Sequence, residues 1–241
     1  MGVSTYTSDL VVVGLGYVGL PLAHEASRSG LKVTGLDVNQ RVVDGLNAGR
    51  SHIDDLSEVD IADMRAAGFT ATSDPSVLGS TQTIVVCVPT PLSEEGSPDL
   101  SAVTSAAESI AAHLSPGTLV ILESTTFPGT TDEVLRPILE RSGLTAGRDF
   151  HLAFSPERID PGNPVFGVAN TPKVVGGYTE LCGELAAAFY GKFVRTVVRA
   201  RGTREAEMAK LLENTYRHIN IALVNEMAVF CRELGVDLWD S

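Results

Sequence analysis

Cysteine is scarce and scattered: the 241 residues hold three, Cys87, Cys182 and Cys231, with no Cys-x-x-Cys pair. An odd number so far apart suggests neither a disulfide framework nor a zinc site. The five histidines, at 24, 52, 113, 151 and 218, have no metal-ligand spacing, so no metal centre is expected. Positive charge is also short. Eighteen Lys and Arg stand against thirty Asp and Glu, a formal net charge of −12. That balance argues against nucleic acid or an anionic membrane surface as the main partner. A small anionic ligand is still allowed, because backbone N–H groups can hold one whatever the overall charge. No apolar run approaches the ~20 residues of a membrane span. The apolar stretch 10–13 is too brief for a signal-peptide core. The expectation is a cytosolic protein.

What is present is the composition of a globular α/β protein, with 44% hydrophobic and 20% charged residues. The length exceeds the usual ~100–200 residues of one domain. We divide the chain into a dinucleotide-binding unit, 1–200, and the start of a second, mostly helical unit, 201–241. Strand-like and helix-like stretches alternate, which predicts βαβ units and a doubly wound, mainly parallel sheet. Strands are predicted at 10–14, 32–36, 69–72, 83–88, 119–122, 151–154, 173–175 and 194–197. Helices are predicted at 18–29, 41–48, 100–113, 131–142 and 180–190. A long helix follows over 203–234, uninterrupted by Gly or Pro. Its apolar positions Ala209, Leu212, Tyr216, Ile219, Leu223, Met227, Phe230 and Leu234 recur in steps of three and four, which predicts a core-facing stripe. A rod of about 45–50 Å needs more than one small domain to pack on. It is a natural homodimer contact.

Gly14-Leu-Gly16-Tyr17-Val18-Gly19 follows the first strand and opens the first helix. A Gly-x-Gly-x-x-Gly in isolation means little; in this context it is the dinucleotide fingerprint. Gly14 permits the tight turn, Gly16 lets a pyrophosphate approach the backbone, and Gly19 lets helix and strand pack closely. The helix N-terminus offers donors and partial positive charge to the phosphates, beside Tyr17 and Val18. Asp37 ends the second strand about twenty residues on, where its carboxylate can accept from both ribose hydroxyls and repel a 2′-phosphate. NAD is therefore expected rather than NADP. Arg41 could flank the adenosine, or be a solvated surface arginine.

Ligands of open α/β sheets sit outside the carboxyl ends of the strands. Three more strand ends carry unusual residues: Val88-Pro89-Thr90-Pro91, Glu123-Ser124-Thr125-Thr126-Phe127-Pro128-Gly129, and Ser155-Pro156-Glu157-Arg158. Each in isolation could be turn or capping chemistry. All three on one sheet edge suggest a site, with Pro89, Thr90 and Thr125 on the cofactor side.

Together these motifs, with KVVGG at 173–177 and AKLLENTYRHINIALVNE at 209–226, resemble the UDP-glucose/GDP-mannose dehydrogenase family. The resemblance spans nearly the whole chain in one order. It implies oxidation of the C6 alcohol of a nucleotide sugar to a carboxylate by two hydride transfers to NAD. It also implies capture of the aldehyde stage by a cysteine, and hydrolysis of the resulting thioester. Residue by residue, it makes Thr125 the threonine that helps hold water and substrate, and Glu157 the general base at the thioester. Lys210 and Asn214 become the oxyanion donors; four residues apart, they share one helical face. Arg158 joins Glu157, Lys210 and Asn214 on the substrate side. The run Ser155-Pro-Glu-Arg158-Ile-Asp-Pro161-Gly162 is similar to the branch acting on UDP-N-acetylhexosamines. UDP-N-acetylglucosamine is expected first, UDP-N-acetylmannosamine next, then UDP-glucose. The family's nucleophilic cysteine lies in a glycine-rich loop beyond the long helix, and none of Cys87, Cys182 and Cys231 matches it. Buried structural thiols are expected for all three, and turnover is not expected from these 241 residues by themselves. Two other readings compete: a non-catalytic NAD-binding or dimerisation module, and a two-electron hydroxyacid dehydrogenase, against which the VPTP and SPER segments argue.

Overall fold

Six strands run in one direction in the computed structural model, which describes residues 6–93, 96–158 and 167–240. They are β1 (Ser8–Val13), β2 (Val33–Leu36), β3 (Thr70–Thr72), β4 (Thr81–Val86), β5 (Leu119–Leu122) and β6 (His151–Phe154). β7 (Lys173–Gly177) joins β6 antiparallel, and β8 (Val197–Arg199) lies parallel to β7. The order across the sheet is β3-β2-β1-β4-β5-β6-β7-β8. The chain thus reverses its direction of winding between β1 and β4, and a crevice opens beyond their carboxyl ends.

The central strands are short apolar runs because both faces are covered. Successive side chains point to opposite sides, so Leu10 and Val12 enter one core and Val11 and Val13 the other. The first core holds Leu20, Leu22 and Ala23 of α1 (Gly19–Arg28), Val43 and Leu46 of α2 (Gln40–Asn47), and Ala186, Phe189 and Tyr190 of α6 (Glu180–Tyr190). It also holds Ile61 and Met64 of α3 (Glu58–Ala66), a helix the sequence reading did not place. The second core holds Val103, Ala106, Ala107 and Ile110 of α4 (Ser101–His113) and Ile138 and Leu139 of α5 (Arg136–Leu139).

Three other expectations are corrected. The helix predicted at 131–142 opens as a π-helical stretch, Thr130–Leu135, continues as α5 and ends as a 3-10 turn, Glu140–Ser142. The last strand is not at 194–197: Val194 is buried in the first core instead, and pairing begins at Val197. The long helix α7 spans Thr203–Leu234 as expected, but its stripe does not face this chain's core. Only Thr203, Ala206, Glu207 and Cys231 are buried along it, while Leu212, Tyr216, Ile219, Leu223, Met227, Phe230 and Leu234 are exposed.

Candidate active site

The turn after β1 is built on glycine for two different reasons. Gly14 has φ +89, and a Cβ there would lie 2.8 Å from the Cys87 carbonyl oxygen, so only glycine sits without strain. A Cβ on Gly19 would run into the Gly14 carbonyl. Gly16 is the opposite case: a Cβ there meets nothing within 4 Å. Open space therefore lies over the start of α1, whose first turn has no acidic residue and whose N-cap, Val18, makes no side-chain cap. The first N–H groups of a helix have no partner inside it. Room and unneutralised donors coincide, which is what a pyrophosphate requires. Tyr17 is exposed at the rim.

Asp37 follows β2 directly and braces this turn. Its Oδ2 accepts from Leu15 N at 2.9 Å and its Oδ1 from Asn39 N at 2.8 Å. Each oxygen keeps acceptor capacity for a ribose hydroxyl. His52 Nε2 lies 2.9 Å from the Leu15 carbonyl oxygen, a second brace that the sequence reading missed. Arg41, in the first turn of α2, is exposed.

The neighbouring strand ends are stitched together. Thr90 Oγ1 donates to the Thr125 carbonyl at 2.6 Å, and Ser124 Oγ donates to the Val88 carbonyl at 2.7 Å. These bonds hold the Pro89 turn beside the β5 end. Thr125 is exposed on that edge, whereas Thr126 is buried and its Oγ1 has no hydrogen-bond partner among the described residues. The sequence singled out Thr125; only burial distinguishes its neighbour.

β6 and α7 deliver the next group. Lys210 Nζ donates to the Glu157 main-chain carbonyl. Burial lowers the Lys210 pKa, with Glu157 opposing the shift. Asn214 lies one turn further along α7 and is exposed. Arg158 donates through Nε to Glu213 at 3.0 Å, through Nη1 to the Pro172 carbonyl at 2.9 Å, and through Nη2 to Glu213 again. Among the described residues, these bonds engage three of its five N–H groups. Pro161 and Gly162, which weighed in the substrate expectation, lie outside the described residues.

The register of α7 against this edge is set by Glu207, whose side chain is fully buried. Its Oε2 accepts from Gly129 N at 2.6 Å, and its Oε1 accepts from Thr131 N at 2.9 Å and Thr131 Oγ1 at 2.7 Å. Burial raises its pKa and these donors oppose that. A carboxylate of the long helix thus occupies the N-terminus of the helix after β5, one turn before Lys210.

Under Glu157 lies a charged cluster that the sequence reading did not assemble. Lys173 Nζ, at the start of β7, is 3.0 Å from Glu123 Oε2 and 3.3 Å from Glu157 Oε2. The Tyr190 hydroxyl donates to Glu123 Oε1, and Lys173 Nζ stands 5.2 Å from the Tyr190 ring centre. Burial works against the Lys173 charge, but the two carboxylates outweigh it and hold its pKa above the usual lysine range. Burial likewise raises Glu123, which Lys173 counteracts. Cys87 lies in the field of the same three groups; burial pushes its thiol well up. Cys182 and Cys231 are also buried and free, as expected. Among the described residues, no three His, Cys, Asp or Glu side chains gather as a metal site, and no helix is long and apolar enough to cross a membrane.

Known proteins match this arrangement. The model of the UDP-glucose/GDP-mannose dehydrogenase family, NAD binding domain, matches residues 8–194, and that of the family's central domain matches residues 204–240. The UDP-N-acetyl-D-glucosamine 6-dehydrogenase of Pseudomonas aeruginosa is 41% identical over 95% of this chain and 54% of its own length. The NDP-N-acetyl-D-galactosaminuronic acid dehydrogenase of Ralstonia nicotianae is 38% identical over 95% of this chain and 56% of its own. The structure of a UDP-N-acetylmannosamine dehydrogenase from Pyrococcus horikoshii superposes with a TM-score of 0.90 at 36% identity, covering 96% of this chain and 56% of that one. The chain spans about half the length of the curated relatives it matches. The glycine turn, its aspartate brace and the match over 8–194 make this an NAD-binding domain, and the chain belongs to the UDP-glucose/GDP-mannose dehydrogenase family.

Proposed function

We propose that this chain is the NAD-binding part, residues 1–200, and the beginning of the helical central part, residues 201–241, of a nucleotide-sugar 6-dehydrogenase. The substrate in this reading is a UDP-N-acetylhexosamine, UDP-N-acetylglucosamine first, oxidised at C6 to the carboxylate. One observation carries the reading. Glu157, just after β6, receives the Lys210 ammonium of α7 on its main-chain carbonyl and the Lys173 ammonium on its carboxylate, at the sheet edge that also carries the glycine turn. NAD, when bound, supplies the hydride acceptor.

The remaining roles belong to side chains of this chain. Glu157 takes the proton of the water that cleaves the acyl intermediate. Lys210 keeps two N–H donors beyond its bond to Glu157, and with Asn214 one turn on it faces a developing oxyanion. Thr125 holds water and substrate at the β5 end, and Arg158 offers its guanidinium to the sugar nucleotide. Gly14, Gly16, Tyr17, Val18 and Gly19 receive the pyrophosphate, Asp37 the ribose and Arg41 the adenosine side, with Pro89 and Thr90 at the nicotinamide end. All three thiols are buried and Cys87 is held protonated by its surroundings. By themselves, then, these 241 residues bind NAD without turnover.

The test is NADH release by the gene product that carries this chain, with UDP-N-acetylglucosamine, UDP-N-acetylmannosamine and UDP-glucose offered in turn. Two NADH per sugar are expected, fastest with UDP-N-acetylglucosamine. One NADH per sugar, or none with any of the three, overturns the reading.

A further inference from the structure

The cluster beneath Glu157 is graded in burial. The Glu123 side chain is 0% exposed, Lys173 5% and Glu157 14%, so Glu157 is where the cluster meets the cleft. Glu123 and Lys173 lie deeper than Glu157. Fold stability gives little reason for such an arrangement. Burying charges costs several kcal/mol per ion, and a well-packed apolar pair at the same place is often as stable or more so. Nor is Lys173 a simple pair with either neighbour. It is shared between two carboxylates, one just after β5 and one just after β6, and Tyr190 of α6 satisfies the oxygen of Glu123 that the lysine leaves.

We propose that Lys173 is the positioning residue for Glu157, fixing its carboxylate at the cleft and keeping it charged, with Glu123 as the counter-ion that limits how strongly it does so. The groups facing Glu157 support this division. Lys210 of α7 reaches its main-chain carbonyl, and Glu157 Oε1 accepts from Arg158 N at 2.6 Å. The Arg158 guanidinium is engaged by Glu213. Burial pushes up the thiol of Cys87, just after β4, and the Tyr190 hydroxyl donates to Glu123. Lys173 brings its ammonium to 3.3 Å from the Glu157 carboxylate itself. An opposite charge at this range favours the ionised form; a like charge disfavours it. Removing Lys173 must therefore raise the Glu157 pKa. Removing the charge of Glu123 must lower it, because Lys173 is then no longer divided and a nearby negative charge is gone. Two neutralising substitutions in one cluster should move one group in opposite directions, which a purely structural role does not do.

This inference rests on Glu157 being the base of the proposed reaction, but its test needs no turnover. In the 241-residue chain with 13C-labelled glutamate, the side-chain carboxyl resonance of Glu157 is assigned by its loss in Glu157→Gln and titrated with pH. Lys173→Met is expected to raise the midpoint by about 1–3 pH units, Glu123→Gln to lower it, and Lys173→Arg to leave it near the parent value. Where Lys173→Met leaves Glu123 stranded and the fold fails, the double variant Glu123→Gln/Lys173→Met carries the same expectation of a raised midpoint. An unchanged Glu157 midpoint in folded Lys173→Met or the double variant, or a shift of the same sign in Glu123→Gln, overturns the proposal. Turnover assays fail or succeed independently of this result.

Discussion

Two glycines three residues apart carry different physics, and substitution separates them. Gly19 is required by packing, since a Cβ there collides with main chain. Gly19→Ala should cost about 1–3 kcal/mol or more, as overpacking a rigid contact does, visible in a urea melt without any ligand. Gly16 faces open space and its φ is not left-handed. Gly16→Ala should leave the melt within about 0.5 kcal/mol of the parent and weaken NAD binding in a calorimetric titration, because the methyl enters the space kept for the diphosphate. Equal effects of both substitutions on stability would contradict the assignment. This part of the site was legible in the sequence because its residues are contiguous and their chemistry is local. The cluster of Glu123 with Lys173 was not: fifty positions separate them, and only the adjacency of β5, β6 and β7 brings them together. Thr126 was obscured differently, since in a run of hydroxyl residues only solvent exclusion distinguishes one from the next.

At the scale of elements, the buried strands were readable because continuous apolar runs such as Leu119–Leu122 have no other use. The helix α3 was missed because only Ile61 and Met64 of its nine residues are buried, too few to print a period. Its start is nonetheless encoded, in a capping box between Ser57 and Asp60. Ser57→Ala should cost about 1 kcal/mol at neutral pH in chemical denaturation. The pH dependence has a definite sign. Hydrogen bonds from the Ser57 side chain and backbone hold the Asp60 pKa below the usual aspartate value. The stability they contribute is present above that ordinary value and is lost as pH falls through the depressed one. The gap between parent and Ser57→Ala should therefore narrow under acid; a gap that widens below pH 4 would show that the cap is not what Ser57 supplies. The irregular helix after β5 has causes equally invisible to periodicity. Pro137 has no N–H to give its preceding turn, and the N–H groups of Gly129 and Thr131 are taken by Glu207, which arrives from α7.

For the molecule as a whole, α7 is the element whose sequence and surroundings disagree. Thirty-two residues make a rod of about 48 Å, anchored at its base by Glu207 and by Thr203, whose Oγ1 donates to Asp132 at 2.8 Å. Beyond that base, an apolar stripe with helical spacing faces outward, with Tyr216 71% and Ile219 60% exposed. Contiguous exposed apolar surface of this kind marks an interaction face. The expected core-facing stripe is exposed on this chain, because a period of three to four reports that a face will be covered and not by which chain; the homodimer contact expected from the sequence is the reading that remains. We propose that a second copy covers it. Self-pairing of one face about a two-fold axis is the commonest way a soluble chain closes such a surface, and a straight helix offers the same stripe to its symmetry mate. In sedimentation velocity at micromolar concentration the 241-residue chain should run as a dimer of the 25.5 kDa subunit. Ile219→Asp with Leu223→Asp should yield a monomer that retains NAD affinity, since neither side chain approaches the glycine turn. A parent chain that stays monomeric across that range, or a doubly substituted chain that still dimerises, would remove α7 from the interface and leave the stripe to a different partner surface.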